Sequence, residues 1–431
     1  MDFQENFLQS VWKYQYFDKN GLQTTEGTPL SIIKIGYHNF YEGPDFLEAQ
    51  IHLGNFDYYG HVEIHRKSSD WKNHDHDSDD RYNSVVLHVV WDDDKPILRK
   101  DGTSIPTLVL KGKVLLDVIR NYERLLNGEG ELLCAAGLDF IPDIIRFSTL
   151  EKALVERLES KAKLILDLLE QSNTDWEETC FRWLMNAFGF KTNSESMLNL
   201  SQMIQFKTLK KHSGNSLIIQ ALMLGQAGLI PASVSDDYGQ MLKREYDFYH
   251  KKYNLGSPMH FSEWKFMGVR PGNFPTLRIV QVAEIIAKNP SLLSGVLHET
   301  SSFLNFKKFF SIQIPEYWQY HYQVDKPSTG NLSKSLSNQT INLLLINFVV
   351  PLWFAYGKYI QDSTWQEKCF DLLQEMVPEE NFIIRKFKTH NWEPKSAFDT
   401  QGMIGQFHSY CKLKKCLDCK VGQNLLKPAK K

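Results

Sequence analysis

Histidine and carboxylate side chains are concentrated between residues 43 and 91 of this 431-residue chain. Seven of the fourteen histidines lie at or before His88, where they alternate with acidic residues and with apolar runs typical of strands. Such side chains together can bind a divalent metal ion or transfer a proton. A purely structural sheet needs neither, so we expect the chemistry of this chain to reside here.

The strongest candidates lie on two predicted strands. Residues two apart on a strand point to the same face, so Glu63 and His65 are expected to project together, away from the core. Asp45 follows Pro44 at the expected start of the preceding strand, and a hairpin would bring Asp45 beside Glu63. Two carboxylates with water molecules form an oxygen-rich site of the kind that Mg²⁺ or Mn²⁺ accepts.

A second group follows the third strand, where His74 and His76 come shortly after Asp70. These side chains can bind Zn²⁺, Mn²⁺ or Fe²⁺ and so support a hydrolase of small molecules that uses a metal-bound hydroxide. The alternative is that residues 73–77 form a solvated polar loop in which Asn and Asp shape turns. His88 lies inside an apolar strand and is expected to be a core residue that hydrogen-bonds to a neighbour.

The arrangement resembles the PD-(D/E)xK nuclease superfamily, in which a Pro-Asp pair opens the second strand and an acidic-x-Lys element lies on the third. Here Pro44-Asp45 and Glu63-Ile64-His65 occupy those places. The resemblance implies the order helix, three strands, helix, strand. It also implies a metal-dependent phosphodiesterase acting on nucleic acid, in which Asp45 and Glu63 hold Mg²⁺ or Mn²⁺ and His65 helps to activate water.

One difference from that superfamily affects the expected mechanism, because His65 stands where the lysine belongs. A histidine can orient or deprotonate a metal-bound water molecule, or Lys67 can reach the substrate from further along the strand. Glu5, on the first predicted helix, can supply the additional acidic residue that some members have. The missing lysine also leaves a second function open, a non-catalytic protein that binds nucleic acid or another protein through a degenerate nuclease fold.

Longer sequence strings resemble an uncharacterised bacterial family known as domain of unknown function 2851. They are Gly43-Pro44-Asp45-Phe46, Val62-Glu63-Ile64-His65, Asp70-Trp71 with His74 and His76, Leu87-His88-Val89-Val90, Arg270-Pro271 through Ile279, and Cys416-x-x-Cys419-x-x-Gly422. Together the strings cover nearly the whole chain. The resemblance implies a bacterial, cytoplasmic protein and brings with it no activity that can be transferred.

Residues 264–279 interrupt the predicted helices with two Pro and two Gly. Arg270 and Arg278 flank Asn273, and Thr276 is suited to cap a following helix whose N-terminus attracts anions. A phosphate or carboxylate of the substrate held between two guanidinium groups is the functional interpretation. The alternative is a structured connector whose arginines pair with internal carboxylates.

The C-terminal segment contains Cys411, Cys416 and Cys419 in a Cys-x4-Cys-x2-Cys arrangement. Six cysteines in 431 residues are too few for a disulfide framework, so metal binding is the chemical interpretation. His408 can complete a tetrahedral zinc site, or the three thiolates and a distant cysteine can hold an iron–sulfur cluster, as in some nucleases of the superfamily named above. The alternative is a set of reduced, packed thiols.

The elements that position these residues predict an α+β fold. A helix near the start and strands up to about residue 110 predict a small N-terminal α/β sheet domain, residues 1–113, with the nuclease-like αβββαβ order. Amphipathic helices then predict a large all-α region, residues 114–405. A basic, cysteine-containing tail covers residues 406–431.

Charge is distributed unevenly along the chain. Residues 1–115 carry 12 basic and 18 acidic side chains, whereas residues 381–431 carry 11 basic and 3 acidic ones. A basic tail suits a polyanion such as nucleic acid, although a solvated tail has the same composition. No apolar run approaches the roughly 18 residues that span a bilayer, and the start lacks the features of a signal peptide. We expect a cytoplasmic protein without a membrane partner, and the sequence leaves its oligomeric state open.

Overall fold

A six-stranded mixed sheet forms the N-terminal part of the computed structural model, which describes residues 3–297, 303–332 and 334–428. Its elements are α1 (Glu5–Tyr14), β1 (Leu30–Lys34), β2 (Tyr37–His38), β3 (Phe46–Leu53), β4 (Phe56–Lys67), α2 (Asp70–Asn73), β5 (Val85–Asp92) and β6 (Thr107–Val109). The predicted α+β fold, a small sheet followed by a large helical region, is confirmed.

The strands follow the order β1-β3-β4-β5-β6, and β2 pairs with β3 outside this path. β3 and β4 form an antiparallel hairpin in which Phe46 is opposite Val62. β4 and β5 are parallel, and this pairing places Glu63 opposite His88. The expected hairpin is therefore present. β4 lies between β3, which runs antiparallel to it, and β5, which runs parallel to it.

The two faces of the sheet are covered by different apolar clusters. One face packs against α1 in a core that contains Val62 and Ile64 of β4. The other face carries a smaller cluster made by Trp71, Tyr82, Val85, Ile97 and Ile105. Because side chains alternate along a strand, Glu63 and His65 point away from the larger core and toward the smaller cluster. Both side chains are buried there.

The connection from β4 to β5 is short and irregular. It contains only the four-residue helix α2 and a 3₁₀ turn at Asp80–Tyr82. Asp79 caps this turn, because its side chain accepts a hydrogen bond from the Arg81 backbone N–H. Closely spaced Asp and Asn side chains favour such turns over a long helix.

Helices dominate the chain after β6. They are α3 (Leu116–Leu126), α4 (Asp143–Gln171), α5 (Trp176–Phe188), α6 (Ser194–Met203), α7 (Phe206–Lys210), α8 (Ser216–Gln226), α9 (Asp237–Tyr253), α10 (Pro275–Lys288), α11 (Leu292–Val296), α12 (Phe303–Phe309), α13 (Glu316–Tyr320), α14 (Asn338–Leu344), α15 (Val350–Ile360), α16 (Thr364–Glu375), α17 (Phe382–Lys388), α18 (Ala397–Gln406) and α19 (Lys420–Leu426). A two-stranded hairpin of β7 (His321–Gln323) and β8 (Lys326–Pro327) lies among them.

The continuous helical segment Asn338–Ile360 is long and apolar enough to cross a membrane. Within its most apolar stretch, 72% is buried by other parts of the protein, as is common for the central helix of a packed core. Residues of this segment, among them Leu344, Phe348 and Leu352, are part of the large apolar core of the second unit.

The chain divides into two compact units. The first comprises Met1–Leu150, Arg385–Glu393 and Ile404–Lys431, and the second comprises Glu151–Ile384 and Pro394–Met403. These limits differ from the predicted 1–113, 114–405 and 406–431. The tail joins the first unit because Leu417 and Leu426 are part of the core beneath the sheet, together with residues of α3. Residues 429–431 of the predicted tail lie outside the described residues.

A glycine substitution tests the close approach of β4 to the segment that enters β5. A Cβ atom on Gly60 would lie 2.3 Å from the Ser84 carbonyl oxygen, which also accepts a hydrogen bond from the His61 N–H. We expect Gly60→Ala to lower the free energy of unfolding of the first unit by about 1–3 kcal/mol, because overpacking forces the strands apart. Thermal unfolding measures this. Gly330→Ala is the control, since open space surrounds Gly330, and equal melting of both variants would contradict the prediction.

Candidate metal centre

Asp45 and Glu63 are held together by the ends of β3 and β4. The Asp45 backbone N–H donates to Glu63 Oε2 at 3.0 Å, and the Ile64 N–H donates to Asp45 Oδ2 at 3.0 Å. Gln9 Nε2 of α1 donates to the other oxygen of Asp45 at 2.8 Å. Sequence reasoning placed Asp45 beside Glu63 but missed Gln9. Because both oxygens of Asp45 accept hydrogen bonds, this side chain fixes the strand ends, whereas Glu63 keeps Oε1 for the centre.

Three imidazole rings converge beside Glu63. The available nitrogen atoms of His65, His74 and His76 all lie within 4.8 Å of one another. His65 Nε2 lies 3.2 Å from His74 Nδ1. The alternative in which residues 73–77 form only a solvated loop does not describe this geometry, since His74 and His76 both turn toward His65.

The local backbone explains how the loop presents two histidines to one point. α2 ends at Asn73, and Asp75 adopts a left-handed conformation with φ of 57°. The His76 N–H then donates to the Trp71 carbonyl at 3.1 Å. Asp and Asn tolerate the left-handed region better than most residues, so Asp75 permits the reversal that places His74 and His76 on the same side.

The Glu63 carboxylate lies beside two of these imidazoles. Its Oε1 lies 3.4 Å from His65 Nε2 and 3.2 Å from His76 Nε2. Donor atoms bound to one tetrahedral Zn²⁺ at 2.0–2.1 Å lie about 3.4 Å apart. Glu63 Oε1 is thus about as far from these two nitrogens as a water molecule on the same ion would be. Imidazole donors suit Zn²⁺ or Mn²⁺ better than Mg²⁺.

His88 orients the His65 ring from beneath. His65 Nδ1 and His88 Nε2 lie 2.8 Å apart, and both rings are buried. When Nδ1 of His65 carries the proton and donates to His88, Nε2 of His65 is left unprotonated and able to bind a metal. His88 was predicted as a hydrogen-bonded core residue, and the structure gives it that place and this additional orienting contact.

Aromatic side chains fix the remaining rings. The His76 ring stacks on Tyr82 with centroids 3.7 Å apart. The buried Trp71 ring makes edge contacts with both His76 and His88, at 5.4 and 5.5 Å. These contacts restrict the rotation of the imidazoles, so the donor nitrogens are positioned before any ion binds. Sequence reasoning treated Trp71 as a packing residue and did not identify Tyr82.

Burial shifts the pKa of each carboxyl group at the centre upward. The pKa of Asp45 rises to about 8 through desolvation and the nearby charge of Glu63. Desolvation also raises the pKa of Glu63 to about 8 and that of Glu5 to about 7, and Asp45 contributes to the latter. The predicted additional acidic residue, Glu5, is thus electrostatically coupled to the centre. A bound cation would favour the ionised form of all three carboxyl groups.

The imidazoles are shifted in the opposite direction. Desolvation, followed by repulsion from His88, His76 and His74, lowers the pKa of His65 to about 2. Desolvation and His76 lower the pKa of His88 to about 3. Both rings are therefore neutral at physiological pH, which is the form of histidine that binds metals.

The centre is closed on one side and open on the other. His65 and His88 are buried, His76 is half-buried, and His74 is exposed. Lys67, predicted to contact substrate, lies exposed at the end of β4, where its backbone N–H donates to Asp70 Oδ2 at 3.0 Å. The exposed His74 marks a side from which solvent or substrate can reach the centre.

The other predicted residues lie elsewhere. Arg270 and Arg278 line a cavity of the second unit, while Cys411, Cys416 and Cys419 line a separate pocket of the first unit. None of these five belongs to the histidine group.

Metal binding by the histidine group can be measured with Mn²⁺, because cysteine thiolates compete weakly for this ion. We expect one Mn²⁺ per chain, detected by loss of the electron paramagnetic resonance signal of free Mn²⁺. His74→Ala and His76→Ala each remove a ligand and should weaken binding on the order of 100-fold or more. His52→Ala is the control, since His52 is an exposed sheet residue that contacts Asp57. Equal Mn²⁺ affinity in all three variants would contradict the assignment.

The comparison with protein families agrees with the resemblance carried by the sequence strings. A family model described as "Protein of unknown function (DUF2851)" matches residues 5–382, which include the histidine centre and Arg270 and Arg278 but not the three C-terminal cysteines. No curated protein and no solved structure matches the chain significantly. The resemblance to nucleases stays a prediction. Because this family model matches most of the chain, the chain belongs to the DUF2851 family.

Proposed function

We propose that this chain is a metal-dependent hydrolase whose metal is held by His65, His74 and His76. The observation that carries the proposal is the convergence of three imidazole nitrogens within 4.8 Å. A bound Zn²⁺ or Mn²⁺ lowers the pKa of a water molecule and supplies a hydroxide nucleophile at neutral pH. The exposure of His74 supports a catalytic centre, because water and substrate must be able to reach the ion.

Glu63 is the side chain best placed to handle the proton of that water molecule. Its Oε1 lies 3.2–3.4 Å from two of the proposed ligands, while Oε2 is held by the Asp45 N–H. Once a bound cation favours its ionised form, this carboxylate can accept a proton from the water molecule and return it. Asp45, Gln9 and His88 keep Glu63 and His65 in position, so we assign them positioning roles.

The surroundings favour a phosphodiester of nucleic acid as the substrate. The loop before Asp45 exposes Phe40 and Tyr41, whose side chains are 76% and 89% accessible. The Lys13 ammonium group lies 6.0 Å from the Phe40 ring. Exposed aromatic rings beside a cation are the features on which unpaired bases stack and phosphates pair. We therefore propose single-stranded nucleic acid as the first substrate to examine.

Hydrolysis can be assayed with single-stranded DNA, single-stranded RNA and duplex DNA in separate solutions of Zn²⁺, Mn²⁺ or Mg²⁺. We expect cleavage of at least one single-stranded substrate with Zn²⁺ or Mn²⁺. Glu63→Gln should lower kcat by about 10²–10⁴-fold, because loss of a general base removes the proton acceptor. His76→Ala should remove activity together with the metal, and His52→Ala should retain both.

A double variant tests whether bases of the substrate stack on the exposed rings. Phe40→Ala combined with Tyr41→Ala should raise KM and leave kcat nearly unchanged, since these rings contact substrate away from the reacting bond. Phe56→Ala is the matched control, because Phe56 is 69% accessible but lies at the opposite end of the β3–β4 hairpin.

Cleavage that persists in both Glu63→Gln and His76→Ala would exclude this centre.

The same donor set also suits a hydrolase of small molecules, which is the second candidate. Bis(4-nitrophenyl) phosphate and 4-nitrophenyl acetate separate phosphodiester from carboxylic ester hydrolysis. Metal-dependent turnover of either compound, with no cleavage of nucleic acid, would favour that candidate. Binding of nucleic acid without hydrolysis of any substrate would favour the non-catalytic interaction protein.

A further inference from the structure

Four of the six cysteines meet in one pocket of the first unit. Cys134, Cys411, Cys416 and Cys419 all line it, although Cys134 is distant from the other three in sequence. All six cysteines are present as thiols. Burial and the neighbouring Cys419 and Cys416 raise the pKa of Cys134 to about 12, so these sulfurs are close enough to influence one another's ionisation.

The backbone around the C-terminal cysteines is shaped to turn three thiols inward. A π-helical turn at Phe407–Cys411 follows α18, and a 3₁₀ turn at Cys416–Asp418 leads directly into α19. π-Helical turns are rare in proteins, and those that occur are often found at functional sites. Gly422 allows α19 to pack on the cysteine turn, because a Cβ atom there would lie 2.0 Å from the Cys416 carbonyl oxygen.

The pocket surrounds the sulfurs with apolar walls and one amide donor. Its walls include Leu132, Leu133, Phe387, Trp392 and Val421. Gln406 Nε2 lies 3.0 Å from Cys419 Sγ and 3.8 Å from Cys411 Sγ, and donates to both. Apolar walls and N–H donors to sulfur are two of the features by which proteins set the properties of iron–sulfur clusters.

We propose that Cys134, Cys411, Cys416 and Cys419 bind an iron–sulfur cluster. Among the described residues, the donor group whose atoms all lie within 4.8 Å of one another is the histidine group, so the four cysteine sulfurs do not all lie within that distance of one another. Four thiolates on a single Zn²⁺ at 2.3 Å lie only about 3.8 Å apart, whereas a cluster of several irons separates its ligands further. Cys134 is the fourth ligand, which the sequence left as an unspecified distant cysteine.

Assembly requires Fe³⁺, Fe²⁺ and inorganic sulfide from outside the protein, so that the oxidised core forms without a further oxidant. Each thiol loses its proton as its sulfur bonds to iron, so four protons are released when four cysteines bind. The cluster does not depend on the proposed hydrolase, since its ligands and those of the histidine centre are different residues.

Anaerobic purification followed by reconstitution with Fe³⁺, Fe²⁺ and sulfide tests this proposal in the full chain. We expect iron, acid-labile sulfide and a visible absorption band that dithionite bleaches. Cys134→Ser and Cys416→Ser should each lose most of the iron and sulfide while circular dichroism shows the wild-type helix content. Cys369→Ser is the control, because Cys369 donates to the Val350 carbonyl in another core and a serine can keep that contact.

Three outcomes would overturn the cluster. The first is stoichiometric zinc without labile sulfide. The second is a protein that takes up no iron during reconstitution. The third is iron uptake that is unchanged in both Cys134→Ser and Cys416→Ser.

An independent observation concerns Arg278 in the second unit. Its guanidinium group is buried, with 7% of the residue accessible, and it stacks 4.5 Å from the Phe190 ring. Nη1 donates to Gln281 and Nη2 to Asn273, which are both neutral amides, and Nε is buried without a partner. The predicted alternative, pairing with internal carboxylates, is therefore absent for Arg278 among the described residues.

Arg278 lines a cavity of about 490 Å³ together with the exposed Arg270, at the N-terminal end of α10. Its lining also includes hydroxyl and amide side chains, among them Thr192, Asn193, Ser337 and Thr340. A buried cation without a counter-charge is costly, and burial lowers the pKa of Arg278 to about 10. The cavity is larger than a bare phosphate ion requires and has the size of a small-molecule site.

We infer that this cavity binds the phosphate group of a small phosphorylated molecule. Thermal unfolding of the full chain with inorganic phosphate and with adenosine monophosphate tests this, in chloride of equal ionic strength. We expect both compounds to raise the Tm of the wild type, and the nucleotide to do so at lower concentration. Arg278→Gln should lose the shift in Tm. Arg270→Gln changes an exposed position and should reduce the shift, so it tests the inference even if Arg278→Gln does not fold.

Arg244→Ala is the control for this experiment, because Arg244 is an exposed arginine of α9. The inference is overturned if neither compound shifts the Tm. It is also overturned if the shift is the same in Arg270→Gln and Arg278→Gln as in the wild type.

Discussion

The double pairing of β4 is the constraint on which the candidate metal centre depends. β4 is antiparallel to β3 and parallel to β5, so its register is fixed from both sides. A slip of one residue would exchange Glu63 and His65 with Val62 and Ile64. The buried apolar residues of β4 therefore determine which face carries the carboxylate and the imidazole, and the hairpin brings Asp45 to Glu63.

This fold buries polar groups that a structural sheet would keep in solvent. The pKa values of Asp45 and Glu63 are raised to about 8, and that of His65 is lowered to about 2, because each group resists being charged without water. Burial of such groups opposes folding unless they gain partners. A divalent ion would supply the missing positive charge, so the electrostatics and the donor geometry support the same proposal.

The sequence predicted the parts of the site that follow from local periodicity. Alternation along the strand placed Glu63 and His65 on one face, and the Pro-Asp pair marked the start of the hairpin. The roles of His74 and His76 were open, because their position depends on a turn at Asp75 and on packing against Tyr82. Neither the turn nor the packing contact produces a periodic pattern in the sequence.

Long-range contacts were decided by tertiary structure alone. The sequence showed three clustered cysteines but could not select Cys134, since only packing of residues 132–134 against the tail brings the four thiols together. It identified Arg278 but not that its hydrogen-bond partners are neutral amides. The sequence by itself determined the α+β class, the strand faces and the types of donor available, because these follow from side-chain chemistry and short-range spacing. Which donors share a site was decided by the tertiary structure, because convergence depends on contacts between residues far apart in the chain.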